Sequence, residues 1–328
     1  MRAEPVFVGA PEAAGMYESF YLRAVSPREP VGVWIRYTVR KAPGQAARGS
    51  VWCTVFDASR GAPFMHKSTF EHPQVPPGGW IEIGGRSRIG PDGAEGECGP
   101  ARWALRFAAE APELGHLRPR LLYRTPLPRT KLTSPAPLAR FDGVLELEGR
   151  GPIDLRGWHG MVGHNWGSEH AARWIWLHGC DFTGAPEAWV DVALGQVRVG
   201  SRLTPWVASG ALSLEGREHR LGGLGTARPV VHESAAGAEI QLGGADRLQV
   251  IAHVEVTPGS AAGWRYADPD GAEHDVVNCS VAGLELALGR RGEGGRLALR
   301  STHGGAYELG AAGAPPPPGV VFAPFGDA

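Results

Sequence analysis

Along most of the chain, apolar and polar residues alternate with a period of two, the pattern of strands with one buried face, and helical periodicity is rare. In residues 31–40, Val31, Val33, Ile35, Tyr37 and Val39 point one way, and Trp34, Arg36 and Thr38 the other. Similar runs at 17–25, 50–57, 65–71, 80–83 and 102–108 predict a first group of strands, with 121–124 as a further one. The single helical piece expected before the middle lies around 108–114. A second group is predicted at 143–148, 153–166, 173–182, 187–199, 206–214, 239–242, 248–256, 276–288 and 297–302. Between the groups, residues 125–140 hold four prolines and no alternation, which reads as a linker.

Composition sharpens this picture. The 48 glycines and 28 prolines punctuate the chain too often for a helical bundle. The expected class is all-β, two antiparallel barrels or sandwiches in tandem, at 1–135 and 136–328. With 33 basic and 34 acidic residues the net charge is −1, so the chain lacks the field that grips a phosphate backbone, and nucleic acid is not an expected partner. Cys53, Cys98, Cys180 and Cys279 are scattered with no CxxC pair, which suits free thiols in a reducing compartment. The first residues hold no signal-peptide-like apolar stretch, and no later run approaches the roughly 20 apolar residues of a membrane span. The expectation is a soluble, cytoplasmic chain.

Chemistry concentrates in 158–191, which carries five of the 11 tryptophans and four of the 12 histidines. Alternation puts Trp174, Trp176, His178 and Cys180 on one face of a strand, and Glu187, Trp189, Asp191 and Ala193 on one face of the next. The opposite faces are apolar and suit a core. A hairpin loop at 183–186, pairing Phe182 with Glu187, sets His178 directly across from Asp191. The preceding strand offers Trp158, His164 and Trp166 on one face, and is expected to pair alongside. The resulting expectation is one cavity walled by Trp158, Trp166, Trp174, Trp176 and Trp189, with His164, His178 and Asp191 as its catalytic groups. Glu169 and His170 would stand at its rim. Asp191 is expected to be kept protonated by burial, as a proton donor in an apolar pocket, with indole faces able to steady a cation. The alternative is a Trp-filled core with a satisfied His–Asp pair. No close HxH or HxxxH pair marks a metal site in this segment, and no Walker A loop, GxSxG elbow or strand-borne GxGxxG appears, so no metal or cofactor is expected.

The run Gly163-His164-Asn165-Trp166-Gly167, then Trp174-Ile175-Trp176, then Trp189 and Asp191, resembles the carotenoid 1,2-hydratase (hydroxyneurosporene synthase) and AttH-like family. In that family an H-x-W-G element precedes a Trp-bearing strand and an aromatic-x-Asp pair. The resemblance covers about 40 residues at motif level. It implies tandem lipocalin-like β-domains and functional roles for His164, Trp166 and Asp191. Two positions depart from it: Gly163 stands where relatives commonly have Asp, and Trp189 where they often have Tyr. The function implied is a cofactor-independent lyase or cyclase (hydration, dehydration or ring closure) acting on an apolar isoprenoid- or polyketide-like small molecule. The alternative is a non-catalytic lipocalin-like carrier of a hydrophobic ligand.

Overall fold

The structure is a computed structural model describing all residues except 1, 2, 12, 224, 291–296, 314–316 and 325–328, and only the backbone of 246. It is all-β among the described residues, relieved only by short 3₁₀ turns such as Phe7–Gly9 and Arg120–Arg124. None of its helices is long and apolar enough to cross a membrane. Two curled sheets, of 12 and 11 strands, are antiparallel apart from the pairing of Ala262–Ala267 with Val321–Phe322. Single bridges, Gln74 to Glu82 in the first and Leu221 to Gly244 in the second, join strands distant in sheet order and draw each sheet toward closure.

The middle of the first sheet runs Arg48–Asp57, Val31–Lys41, Met16–Val25, Trp158–Gly167, Thr130–Leu147 and Ala101–Ala109. The middle of the second runs Val207–Leu214, Trp189–Gln196, Arg173–Gly179, Leu297–Ala312 and Glu273–Arg290. Every residue of Met16–Val25 is buried. Phe20, Leu22 and Ala24 enter the first sheet's own core, while Tyr21 and Arg23 turn outward and meet the second sheet. The same division holds on 31–41, where Val33, Ile35, Tyr37 and Val39 fill the first core, and Trp34 joins the larger apolar cluster of the second sheet. Central strands are therefore buried on both faces, one aliphatic and one mixed aromatic and polar. The second face is the seam between the sheets. All four cysteines are free and buried.

Three sequence expectations are corrected here. Residues 125–140 are not a linker: Thr130–Leu147 is a long strand of the first sheet, paired on both sides. Pro135 and Pro137 fall where its register against 158–167 shifts, a bulged place where a missing N–H breaks no ladder bond. Residues 121–124 belong to a 3₁₀ turn that follows Pro119, not a strand. No helix forms around 108–114; the strand Ala101–Ala109 ends there instead, and Pro112 removes a helical N–H. The chain passes from the first sheet to the second at 168–172 rather than near 135.

Candidate active site

The expected register holds over Arg173–Gly179, where His178 lies opposite Asp191 and Trp176 opposite Ala193, but not at the turn, where Phe182 bridges Ala185 rather than pairing with Glu187. The expected third strand does not. Trp158–Gly167 pairs with Met16–Val25 and Thr130–Leu147 in the first sheet, and the far neighbour of Arg173–Gly179 is Leu297–Ala312. The single cavity expected for all eight residues is thereby excluded, because His164 and Asp191 end up on opposite sides of the first sheet. Trp158 is buried in the first core. His164 lies within the first sheet too, stacked on Phe20 at 3.9 Å and on Trp166 at 4.4 Å. Its Nε2 is 2.7 Å from the Glu18 carboxylate, which also accepts from the backbone N–H groups of Val6 and Phe7. Trp189 is buried in the second sheet's apolar cluster. Glu169 pairs with Arg129 near the surface. His170 is not a rim residue: it is buried, stacked on Tyr17 at 4.0 Å, with Nδ1 2.6 Å from Asp268.

What the fold does gather lies in the seam. Asp191 is 0% exposed, and its carboxylate accepts from Trp176 Nε1 at 3.0 Å and from Ser134 Oγ at 2.5 Å. His116 Nε2 lies 3.4 Å from the same carboxylate and 3.2 Å from Ser134 Oγ, while its Nδ1–H donates to the Ser209 carbonyl at 2.9 Å. Two strands of one hairpin, a strand of the other sheet and a loop thus converge on one carboxylate. Burial alone would raise the Asp191 carboxyl, but the His116 ring and the Ser134 hydroxyl outweigh it and hold the group below its ordinary value. Asp191 is therefore a carboxylate in the folded protein and not the protonated donor expected from its burial.

His178 is locked. Its Nδ1 accepts from Arg23 Nη1 at 2.9 Å and its Nε2–H donates to the Pro137 carbonyl at 2.8 Å, so neither nitrogen is free to shuttle a proton. Burial and the adjacent guanidinium push its pKa down to about 4. The unfolded histidine, with an ordinary value near 6.5, takes up a proton as pH falls, whereas the folded one does not. The resulting stability is present above about 6.5 and is lost as pH falls toward 4. Burial also lowers His164 and His170, adding in the same direction. His159, raised chiefly by its hydrogen bond to Asp181, opposes: its contribution is full at low pH and fades as pH rises through its folded value. With His66 also lowered by burial, four depressed histidines against one raised histidine give a net loss on acidification. The urea midpoint is expected to be clearly lower at pH 5 than at pH 7; an equal or higher midpoint at pH 5 contradicts this.

Around Asp191 the seam is aromatic. The Tyr21 ring meets Trp176 edge-on at 5.6 Å, and Trp174 donates Nε1–H to Glu308 at 2.9 Å and stacks near Tyr266. Buried polar atoms along the seam also lack partners among the described residues, including Asn165 Oδ1, Asn278 Oδ1, Trp264 Nε1, Trp52 Nε1 and Ser280 Oγ. Native interiors satisfy nearly all such atoms, with ordered water where the protein supplies no partner. His170, Asp268 and His274 bring ligand-type atoms within 4.8 Å of one another. Both histidine contacts with Asp268, at 2.6 and 2.8 Å, have hydrogen-bond lengths, and the two bonds hold the carboxyl well below its ordinary value against the effect of burial.

Gly163 explains one departure from the family motif. A Cβ there would lie 2.1 Å from the Tyr21 ring, which crosses directly over the glycine. Gly163→Asp is expected to push Tyr21 off Trp176 and destabilise the protein by about 1–3 kcal/mol, the usual cost of overpacking. Adding Tyr21→Ala should return part of that loss in denaturant melts. Additive effects of the two changes would refute the clash.

Sequence reasoning missed His116, Ser134, Arg23 and Glu18. His116 and Asp191 are 75 positions apart, and nothing local in either segment marks their meeting. No protein-family model matches the chain. Two uncharacterized proteins of Mycobacterium tuberculosis strains are 26% identical over 301 residues, covering 85% of this chain and 83% of theirs. Among solved structures, CghA with Sch210972 superposes with a TM-score of 0.57 at 12% identity, over 91% of this chain and 88% of its own. A candidate AttH from Nitrosomonas europaea matches at 0.52 and 12%, covering 94% and 97%. Kievitone hydratase from Nectria haematococca matches at 0.52 and 10%, covering 94% and 92%. At these identities the likeness is one of fold.

Proposed function

We propose that the seam is the active site of a cofactor-independent lyase or cyclase that moves one proton on an apolar, isoprenoid- or polyketide-like small molecule. The observation that carries this reading is the Asp191 carboxylate. A fully buried, ionised group costs several kcal/mol unless it is paired and hydrogen-bonded. Here three donors from separate elements converge on it, beside aromatic walls and unpartnered polar atoms. In the proposed reaction a proton on His116 Nε2 passes to an alkene carbon, with Asp191 and Ser134 holding the imidazole in line. The carbocation formed is steadied by the indole of Trp176, an interaction worth about 2 kcal/mol when water is excluded. Water then adds to the cation and returns a proton to His116, giving hydration. Where a second double bond of the substrate adds instead, a ring closes, and a proton from a neighbouring carbon returns to His116 Nε2, which restores the acid. Dehydration is the first course in reverse. That a hydratase is built on this fold supports the reading as analogy only.

Two measurements test it. Terpenoid, polyketide and fatty-acid panels are screened for quenching of tryptophan fluorescence, and compounds that quench are incubated with the protein in D₂O. The expected result is solvent deuterium on a substrate carbon, read by mass spectrometry. Quenching without deuterium incorporation or any product returns the protein to the carrier reading, and no quenching by any apolar compound sinks both.

A further inference from the structure

A second space lies on the other side of the hairpin. Alternation along Arg173–Gly179 sends Trp174, Trp176 and His178 to the seam, whereas Ile175 and Leu177 enter the core that the second sheet curls around. Arg173 shares the inward face. Where that curl opens is a cavity of about 630 Å³, walled by Val256, Ala261, Val277, Leu309 and Ala311, with Arg173 at its edge. Its volume is in the range of small-molecule sites, and an apolar wall with few polar groups is the usual lining of one.

The charges at the edge narrow the ligand. Arg173 pairs with Glu233, whose side chain is 8% exposed. Asp275, also lining the cavity, is paired with Arg265 at 2.9 Å. Each charge is already balanced, so a ligand carboxylate or ammonium would bring an uncompensated charge into an apolar enclosure, at high cost. Among the buried side-chain donors of the lining, Arg173 Nε–H has no acceptor among the described residues. An unmade hydrogen bond of this kind favours a ligand that supplies a neutral oxygen.

We infer that this cavity is a second ligand site, separate from the seam, for an uncharged apolar molecule carrying a carbonyl or hydroxyl oxygen that accepts from Arg173. The inference stands whether or not the seam is catalytic, because it rests on the opposite face of the strand.

Nile red, an uncharged dye with a carbonyl acceptor, is the probe. Its fluorescence is expected to rise saturably with the wild-type protein. Ala311→Trp and Val277→Phe, on two different strands, each fill the cavity and are expected to weaken binding at least tenfold at an unchanged melting midpoint. Two positions are used so that a folding defect in one leaves the other informative. Arg173→Met should weaken binding by about two- to tenfold, the equivalent of one hydrogen bond. Hexadecanol should displace the dye and palmitate should not. Wild-type binding by both filled variants overturns the site, and displacement by palmitate as readily as by hexadecanol overturns its preference for uncharged ligands.

Discussion

Asp191→Asn is expected to keep ligand binding and to lose turnover by about 10²- to 10⁴-fold, the usual contribution of general acid–base catalysis. The substitution preserves shape: with its amide oxygen toward Trp176 Nε1 it keeps that bond, and its NH₂ group then donates to Ser134 Oγ, a hydroxyl that can also accept. It removes the negative charge that His116 faces at 3.4 Å. Quenching by the cognate compound should therefore change little while deuterium incorporation collapses. His116→Ala should show the same split between binding and turnover, because it removes the imidazole and leaves the aromatic wall. His178→Gln serves as the contrast: its nitrogens are spent on Arg23 and on the Pro137 carbonyl, so its loss should lower stability more than chemistry. Full turnover in Asp191→Asn and His116→Ala together would remove the proposed mechanism.

Arg23→Ala is expected to be the most destabilising single change, by about 3–5 kcal/mol, the range found when one partner of a buried charged network is deleted. Arg23 is 0% exposed and crosses the seam from the first sheet to the second. Its guanidinium donates to His178 Nδ1 at 2.9 Å, to the Ser280 carbonyl at 3.0 Å and to the Gly304 carbonyl at 2.9 Å. Truncation leaves these three acceptors, on three strands of the second sheet, buried without their donor. Denaturant melts should show an earlier midpoint, with near-ultraviolet circular dichroism reporting the loosened tryptophans of the seam. Arg23→Lys should recover only part of the loss, since one ammonium cannot reproduce the planar fork. A midpoint within about 0.5 kcal/mol of wild type, the size of an ordinary surface change, would mean that the seam is not bolted there.

The two readings meet in one layer. A carboxylate and a guanidinium, both fully buried, sit on the faces that the two sheets turn toward each other. The fixed guanidinium helps hold the sheets in register, and register is what brings Ser134 of one sheet to Asp191 of the other.

Short-range features were legible in the amino-acid order. Period-two alternation located most strands of both groups, since a strand with one aliphatic face writes that face into every second residue. The pairing of His178 with Asp191 was read correctly from the order of the two strands, although the turn is longer than the four residues expected, since strand pairing stops at Gly179 and Val190. The prolines at 135 and 137 misled, because a bulged strand position tolerates what a regular one does not. Which sheet each strand joins was decided only in three dimensions. Trp158–Gly167 has no local mark that sends it beside Met16–Val25 rather than beside Arg173–Gly179, and that choice alone took His164 away from Asp191. The same holds for the charge on Asp191: burial read from sequence argued for a protonated carboxyl, and only the arrival of His116 and Ser134 from distant segments reversed the balance. Electrostatic environment is a sum over spatial neighbours, and two curled sheets closing on each other choose those neighbours without regard to their order in the chain.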